Sequence, residues 1–365
     1  MGHVSATIYC ERGGNDAMNN KGAIKPRKMP QDRNLGWILL VLGLGVLALA
    51  MAALALGRYY VSLEEVMRIL GSQVWPLEQT WDQTMHDVVM NLRVPRVLAA
   101  VLVGGALSLA GATYQGMFEN PLVSPDILGV SSGACVGAAG AILLGLGNAQ
   151  IQVFAFFGGL AAVSLTLLIP SLMRRKSTIA LVLAGVIVGG FMMSILGLMK
   201  YIADPETELA DMVYWQLGSI AKVTYDNLFN IAPIIIISGM VLIMMRWRIN
   251  ILSLGEEQAR LLGVNLQLER GVAILCSTLL TASAVCLSGT VGWIGLIMPH
   301  IARMVVGNDN VRLLPAATLM SAGFLIIIDT VARTLTGGEL PLGILTGFIG
   351  APFFAWILIK QRGII

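Results

Sequence analysis

Residues 35–57, LGWILLVLGLGVLALAMAALALG, run 23 positions without a charged side chain. A helix needs about 20 apolar residues to cross the hydrocarbon core of a bilayer, where only bonds within the segment satisfy its backbone. The run is longer than the apolar core of a secretory signal and lies further from the N-terminus, so it is expected to stay in the mature protein. Outward from it the whole chain reads the same way. Of 365 residues, 56% are hydrophobic and only 12% charged, with a mean hydropathy of +0.78; a soluble domain carries about 25% charged residues. Nine more apolar runs follow, near residues 94–113, 127–146, 153–173, 179–201, 228–245, 271–291, 294–306, 313–331 and 342–359. The expected fold class is an all-α integral membrane protein with ten transmembrane helices. A membrane β-barrel would alternate apolar and polar residues, and these runs are continuous.

Lys and Arg near span ends favour the cytoplasmic side. Ten spans put both termini on one side. If that side is the cytoplasm, only Arg58, Arg68, Arg93, Arg96, Lys200, Lys222 and Arg333 of the 24 Lys and Arg lie outside. The acids Glu64, Glu65, Asp204, Glu206, Glu208 and Asp211 accompany them there. Both termini are therefore expected on the cytoplasmic side of the cell membrane.

Two of the outer cations are oddly placed. In NLRVPRVLAA, residues 91–100, Arg93 and Arg96 flank Pro95, a residue suited to the first turn of a helix. They oppose the positive-inside bias and sit at a helix N-terminus, where the dipole favours anions by about 0.3–1 kcal/mol. Either their side chains snorkel to lipid head groups, or they receive acidic residues of a partner outside the membrane.

The 41 glycines fall mostly within spans, as in LVGGALSLAGA and LAGVIVGG, and small residues let membrane helices approach closely. LSLAGATYQGMFENPL and VCLSGTVGWIGLIMPH share a small-residue run followed by Gly111 or Gly289 and Pro121 or Pro299, at one offset of 178 residues. Five spans separate the copies, which predicts a weak inverted repeat relating helices 2–5 to helices 7–10. On the inner side, EEQARLLGVNLQL spaces Ala259, Leu262 and Leu266 as an amphipathic helix would, and Gly263 interrupts it. That helix either lies on the membrane surface or inserts into a cleft of a cytoplasmic partner. No lysine sits in a G-x-x-x-x-G-K-[ST] phosphate loop, so any use of ATP must come from another polypeptide.

Five ordered stretches, NLRVPRVLAAVLVGGALSLAGATYQGMFENPLVSPDILGVSSGA, GEEQARLLGV, GTVGWIGLIMPHIARMVVGNDNVRLLPA, DTVAR and GELPLGILTGFIGAPFFAWIL, resemble the membrane subunits of type II ATP-binding-cassette importers. These FecCD-type permeases take up ferric siderophores, haem and vitamin B12, and the resemblance runs from about Leu35 to the C-terminus. It implies ten helices per subunit and a second permease subunit, with a homodimer expected. A path then opens between the two, above a dimer of ATPase subunits and below an extracytoplasmic solute-binding protein. It assigns Arg93, Arg96 and Arg333 to docking of that protein's glutamates, which would compensate the awkward charges. It assigns the segment near 253–267 to coupling helices seated in the ATPase, through Glu256, Glu257, Ala259, Arg260, Leu262 and Gly263, with Gly263 at a close approach.

Asp329 lies deep in the ninth span, where an ionised group is costly and functional by default. Arg333, four residues on, shares its helix face and is the expected structural partner; the other reading is a polar contact lining the path. His300, in MPHIAR, is read as structural, because only His3 and His86 accompany it and no ligand cluster forms. Cys10, Cys135, Cys276 and Cys286 show no paired spacing, and the last three read as small apolar residues. No cofactor, metal or nucleic acid is expected; membrane lipid is. The tail 1–34 reads as disordered, with Met18 and Met29 as alternative starts. Segment 61–87, with Trp75 and Trp81, reads as interfacial, touching either the binding protein or lipid.

Three classes compete. A secondary transporter should carry several buried ion-coupling carboxylates, and Asp329 alone is a poor supply. An enzyme should cluster acids, bases or ligands within the bundle. A transport subunit explains both the basic outer site and the long inner loop. An iron chelate, siderophore or haem, is the first expected cargo; a corrinoid or an oxyanion is the alternative within the family.

Overall fold

The computed structural model describes residues 35–76, 78–173 and 178–361. The tail 1–34, and Arg174, Arg175, Lys176 and Arg362, expected on the inner side, lie outside them. Among the described residues there are helices and no strand. In chain order they are α1 (Leu35–Ala55), α2 (Leu63–Ser72), α3 (Gln83–Asp87), α4 (Val94–Met117), α5 (Val130–Leu143), α6 (Asn148–Leu172), α7 (Thr178–Ile202) and α8 (Glu208–Leu217). There follow α9 (Tyr225–Met244), α10 (Arg246–Leu252), α11 (Glu256–Leu261), α12 (Leu266–Ser288), α13 (Ile294–Val306), α14 (Asn310–Thr334) and α15 (Leu342–Gln361). A π-helical turn, Val88–Arg93, joins α3 to α4, and a 3-10 turn, Pro125–Leu128, precedes α5.

Seven stretches are long and apolar enough to cross a bilayer: α1, the continuous run 83–117, α6, α7, α9, α12 and α14. The three remaining expected runs coincide with shorter apolar helices, α5, α13 and α15. Helix α13 keeps its expected bounds. Helix α5 starts later than 127 because Pro125–Leu128 form their own turn and Gly129 reverses the backbone at φ 81°.

Burial divides these helices. In their most apolar windows α4 is 83% buried and α12 78%, against 11% for α1. The buried helices are also the less apolar, with mean hydropathy 1.8 and 1.9 against 2.8 for α1, and small residues let α4 approach its neighbours closely. Helix α4 packs on α14, α12, α13 and α9. A Cβ at Gly104 would lie 2.6 Å from the Ser321 carbonyl oxygen, and the Ser321 hydroxyl donates to the Gly104 carbonyl at 2.7 Å. At Gly111 a Cβ would lie 1.9 Å from the Gly295 carbonyl, so α4 and α13 cross backbone to backbone.

Two long helices are each followed by a break and a short helix: α4 by the 3-10 turn and α5, α12 by residues 289–293 and α13. The second break holds Gly289 at φ 66° and Trp293 at φ 70°. The 178-residue register is not kept within this pattern. Gly111 lies inside α4 and Gly289 in a break, while Pro121 lies in a loop and buried Pro299 inside α13.

Outside the long helices, α2 is capped at both levels of a capping box: the Ser62 hydroxyl accepts from Glu65 N, and Glu65 returns a carboxylate to Ser62 N. It buries Val66 and Ile69 against the bundle. Trp81 is buried and Trp75 exposed, so only the latter offers an outward contact.

Candidate functional site

At one end of the bundle the expected docking residues converge. Arg93, Arg96 and Arg333 retain 5, 9 and 8% of their surface, respectively. The Arg93 guanidinium donates to the carbonyls of Leu54 and Tyr59 and, at 3.1 Å, to that of Ala55. Arg333 donates to the Ala53 carbonyl. Ala53, Leu54 and Ala55 close α1, where the last carbonyls lack intrahelical partners and the dipole favours cations. The charges that are misplaced for the start of α4 are therefore well placed for the end of α1.

Arg96 carries the ionic part. Its Nε lies 2.7 Å from Asp329 Oδ1 and its Nη1 2.8 Å from Glu339 Oε1. The expected pair of Asp329 with Arg333 is present but longer, Nε to Oδ2 at 3.8 Å. Arg58 straps the cluster from outside, donating to the Arg333 carbonyl at 3.2 Å and the Thr336 carbonyl at 2.7 Å. Three buried cations thus meet two carboxylates and the end of a helix, as buried charges require, though the Arg333 Nε–H, alone of their donors, is buried without an acceptor among the described residues. Sequence reasoning missed Glu339, Arg58 and the α1 carbonyls. The Arg96–Asp329 contact joins positions 233 residues apart, and no local periodicity signals it.

At the other end, α10, α11 and the start of α12 form the segment expected to couple. Ala259 is buried, whereas Leu261 and Leu262 are 83 and 59% exposed and Leu254 is exposed beside them. Glu257 is exposed too. Glu256 binds Arg270 of α12 at 2.5 Å and Arg260 at 3.8 Å. Glu269, buried, pairs with Arg248 of α10. Asn250 donates to Asp309 at 2.6 Å and accepts from Asn310 N at 2.7 Å, tying α10 to α14. Gly263, at φ 74°, ends α11, its N–H bonded to the Arg260 carbonyl at 3.0 Å. A Cβ there would meet nothing within 4 Å, so within this chain glycine answers a backbone requirement and no close approach.

Helix α12 connects this segment to a junction at its far end. Ser219 N donates to the Ser288 carbonyl at 2.7 Å, Thr290 Oγ1 to the Gln216 carbonyl, and Leu342 N to the Gly218 carbonyl at 2.9 Å. The end of α8, the break after α12 and the start of α15 are thereby fastened together. His300 is half-buried on α13, and no hydrogen bond fixes its ring among the described residues. Cys135, Cys276 and Cys286 are buried free thiols.

The chain as a whole is similar to known proteins. Residues 45–360 match the FecCD transport family. The molybdate import system permease protein MolB of Haemophilus influenzae is 37% identical over 326 residues, covering 89% of this chain and 96% of that one. The Probable iron chelatin transport system permease protein of Helicobacter pylori is 39% identical, covering 88% of this chain and 98% of that one. A solved structure described as an inward-facing conformation of a metal-chelate type ABC transporter is 35% identical with a TM-score of 0.80, covering 89% and 99%. A bundle of apolar helices, tied at both ends by charge and matched over nearly its whole length, places this chain in the FecCD transport family: it is a multi-pass membrane permease subunit of an ABC importer and itself no enzyme.

Proposed function

We propose that two copies of this chain pair to line a path for an iron chelate. An extracytoplasmic solute-binding protein delivers the cargo at the arginine end, and a dimer of ATPase subunits drives transport from the α11 end, on the cytoplasmic side with both termini. The observation that carries this reading is the exposed apolar tip of α11 on a rigid mount. Leu261 and Leu262 project while Glu256–Arg270 and Glu269–Arg248 fasten α10 and α11 to α12. A push on the tip moves α12 as a body, and α12 pulls on α8 and α15 through the Ser288 junction. Nucleotide-driven closure of the ATPase pair would in this way switch the side to which the path opens, a packed element with two arrangements biased from a distance. The experiment is Leu261→Asp with Leu262→Asp, followed by co-purification of the ATPase and ATP-driven uptake in vesicles. Retained association and uptake would overturn the assignment.

Docking at the arginine end works by exchange. Glu339 occupies Arg96 from the loop between α14 and α15, whose residues 335–339 are exposed. A carboxylate of the binding protein would replace Glu339 on Arg96 with little net desolvation, while Arg93 and Arg333 hold the outer ends of α1, α4 and α14 in place. The cargo reading draws on the iron chelatin relative and the metal-chelate transporter. The molybdate relative, of comparable identity, supports an oxyanion as the second reading. Vesicles carrying the complete importer, offered a ferric siderophore or molybdate, distinguish the two. Uptake of molybdate alone would reverse the order.

A further inference from the structure

Behind α11, between the inner ends of α4, α6, α7 and α12, lies a cavity of about 330 Å³, within the range of roughly 300–1,000 Å³ usual for ligand sites. Met117, Phe118, Leu167 and Ile274 give it apolar walls, and Glu256, Arg260, Gln267 and Arg270 line its mouth. A groove of about 150 Å³ shares Leu167, Gly271 and Ile274 with it and continues between α6 and α12 to Leu160 and Thr278. Leu160 and Leu167 are two helical turns apart, about 10 Å. The shared floor is open, for a Cβ at Gly271 would meet nothing within 4 Å. Leu167 and Leu275, on its rim, are exposed on helices long enough to span the bilayer.

The mouth is unbalanced. Arg260 and Arg270 share the single carboxylate of Glu256. The Nε–H of Arg270 is buried with no acceptor, and a buried donor left unmade is costly. Two arginines sharing one carboxylate therefore line a cavity that continues into a greasy groove two turns long. One chemistry fits both parts: a phosphate for the arginines and a hydrocarbon chain for the groove. Free phosphate would leave the groove empty, and a neutral lipid would leave the charge uncompensated.

We propose that this site holds one anionic glycerophospholipid, its phosphate on Arg260 and Arg270 and one acyl chain along α6 and α12. The inference needs only that the chain is embedded in a membrane; it shares Glu256 and Arg260 with the coupling segment but depends on none of the docking, coupling and cargo readings. The test is native mass spectrometry of the purified full-length chain with phosphatidylglycerol, phosphatidylcholine or inorganic phosphate. Phosphatidylglycerol should be retained over phosphatidylcholine. Arg260→Gln, at an exposed side chain, should weaken its retention about fivefold, the equivalent of about 1 kcal/mol for one arginine near a charged surface. Gly271→Leu fills the floor without altering charge and should abolish retention of the lipid while leaving the protein's melting temperature unchanged. Should that variant not fold, Arg260→Gln decides alone. Equal retention of the two lipids, unaltered retention in Arg260→Gln or in a folded Gly271→Leu, or displacement of the lipid by equimolar inorganic phosphate would overturn the proposal.

Discussion

At the arginine end, cations are buried and bonded mostly inward; at the α11 end, leucines are exposed and the arginines share one carboxylate. Arg93, Arg96 and Arg333 make their bonds inward, to Asp329, Glu339 and the last carbonyls of α1. Around α11 the ion pairs serve as fasteners, and Leu261 and Leu262 stand exposed beside Glu257, Gln258 and Arg260. The difference teaches that charge at the arginine end is first of all architecture. The α11 end is built the other way round, with a fastened mount presenting exposed leucines.

The most severe way to probe this contrast is Asp329→Ala. It strips buried Arg96 and Arg333 of their shared carboxylate, and breaking a buried pair costs about 3–5 kcal/mol. A large fall in thermal stability in detergent is expected, and a change within error would break the claim that the outer cluster is architectural. The paired Leu261 and Leu262 substitutions come next. Anchors of an interface lose about 2 kcal/mol or more on truncation, so association with the ATPase should weaken at least thirtyfold by titration while the isolated permease melts as before.

Gly263→Ala sharpens the inner side. The φ of 74° costs a residue with a Cβ about 1–2 kcal/mol, and nothing in this chain crowds that position. Uptake should fall severalfold with ATPase binding largely kept; full loss of binding would mean that the partner itself requires the small residue. A gentler probe of the arginine end is Glu339→Gln. Asp329 keeps buried Arg96 paired when the partly exposed Glu339 is lost, so stability should move far less than in Asp329→Ala while affinity for the binding protein rises a few-fold. An unchanged affinity would sink the exchange.

The smallest effect concerns Asp204, in the turn between α7 and α8. The Thr207 hydroxyl and the backbone N–H groups of Thr207 and Glu206 hold its carboxyl below the ordinary value. A depressed acid gives stability that is present above its unfolded pKa and lost as pH falls through the folded one. The turn should therefore loosen only on strong acidification, as hydrogen exchange at residues 206–208 would register.

Much of this was legible before any fold was known. The apolar runs announced the helices, because in lipid each segment must satisfy its own backbone. α13 kept its bounds, and Arg93, Arg96 and the broken inner helix stood out as anomalies of charge and period. Helix α5 was overrun because Pro125 and Gly129 redirect a stretch that hydropathy alone reads as continuous. Asp329 was matched to Arg333 by spacing, whereas its shorter contact is to Arg96 on another helix.

By itself the chain determined that it would live in a membrane as helices, and which positions would be costly there. Those are properties of single segments: length, apolarity and a charge where none is cheap. Only tertiary structure decided that α4 and α12 lie inside while α1 lies outside, that the arginines close the end of α1, and that Glu339 rests on Arg96. Such outcomes depend on which helix ends meet, and that is settled by backbone approach at residues such as Gly104 and Gly111, a property of pairs that no single segment contains.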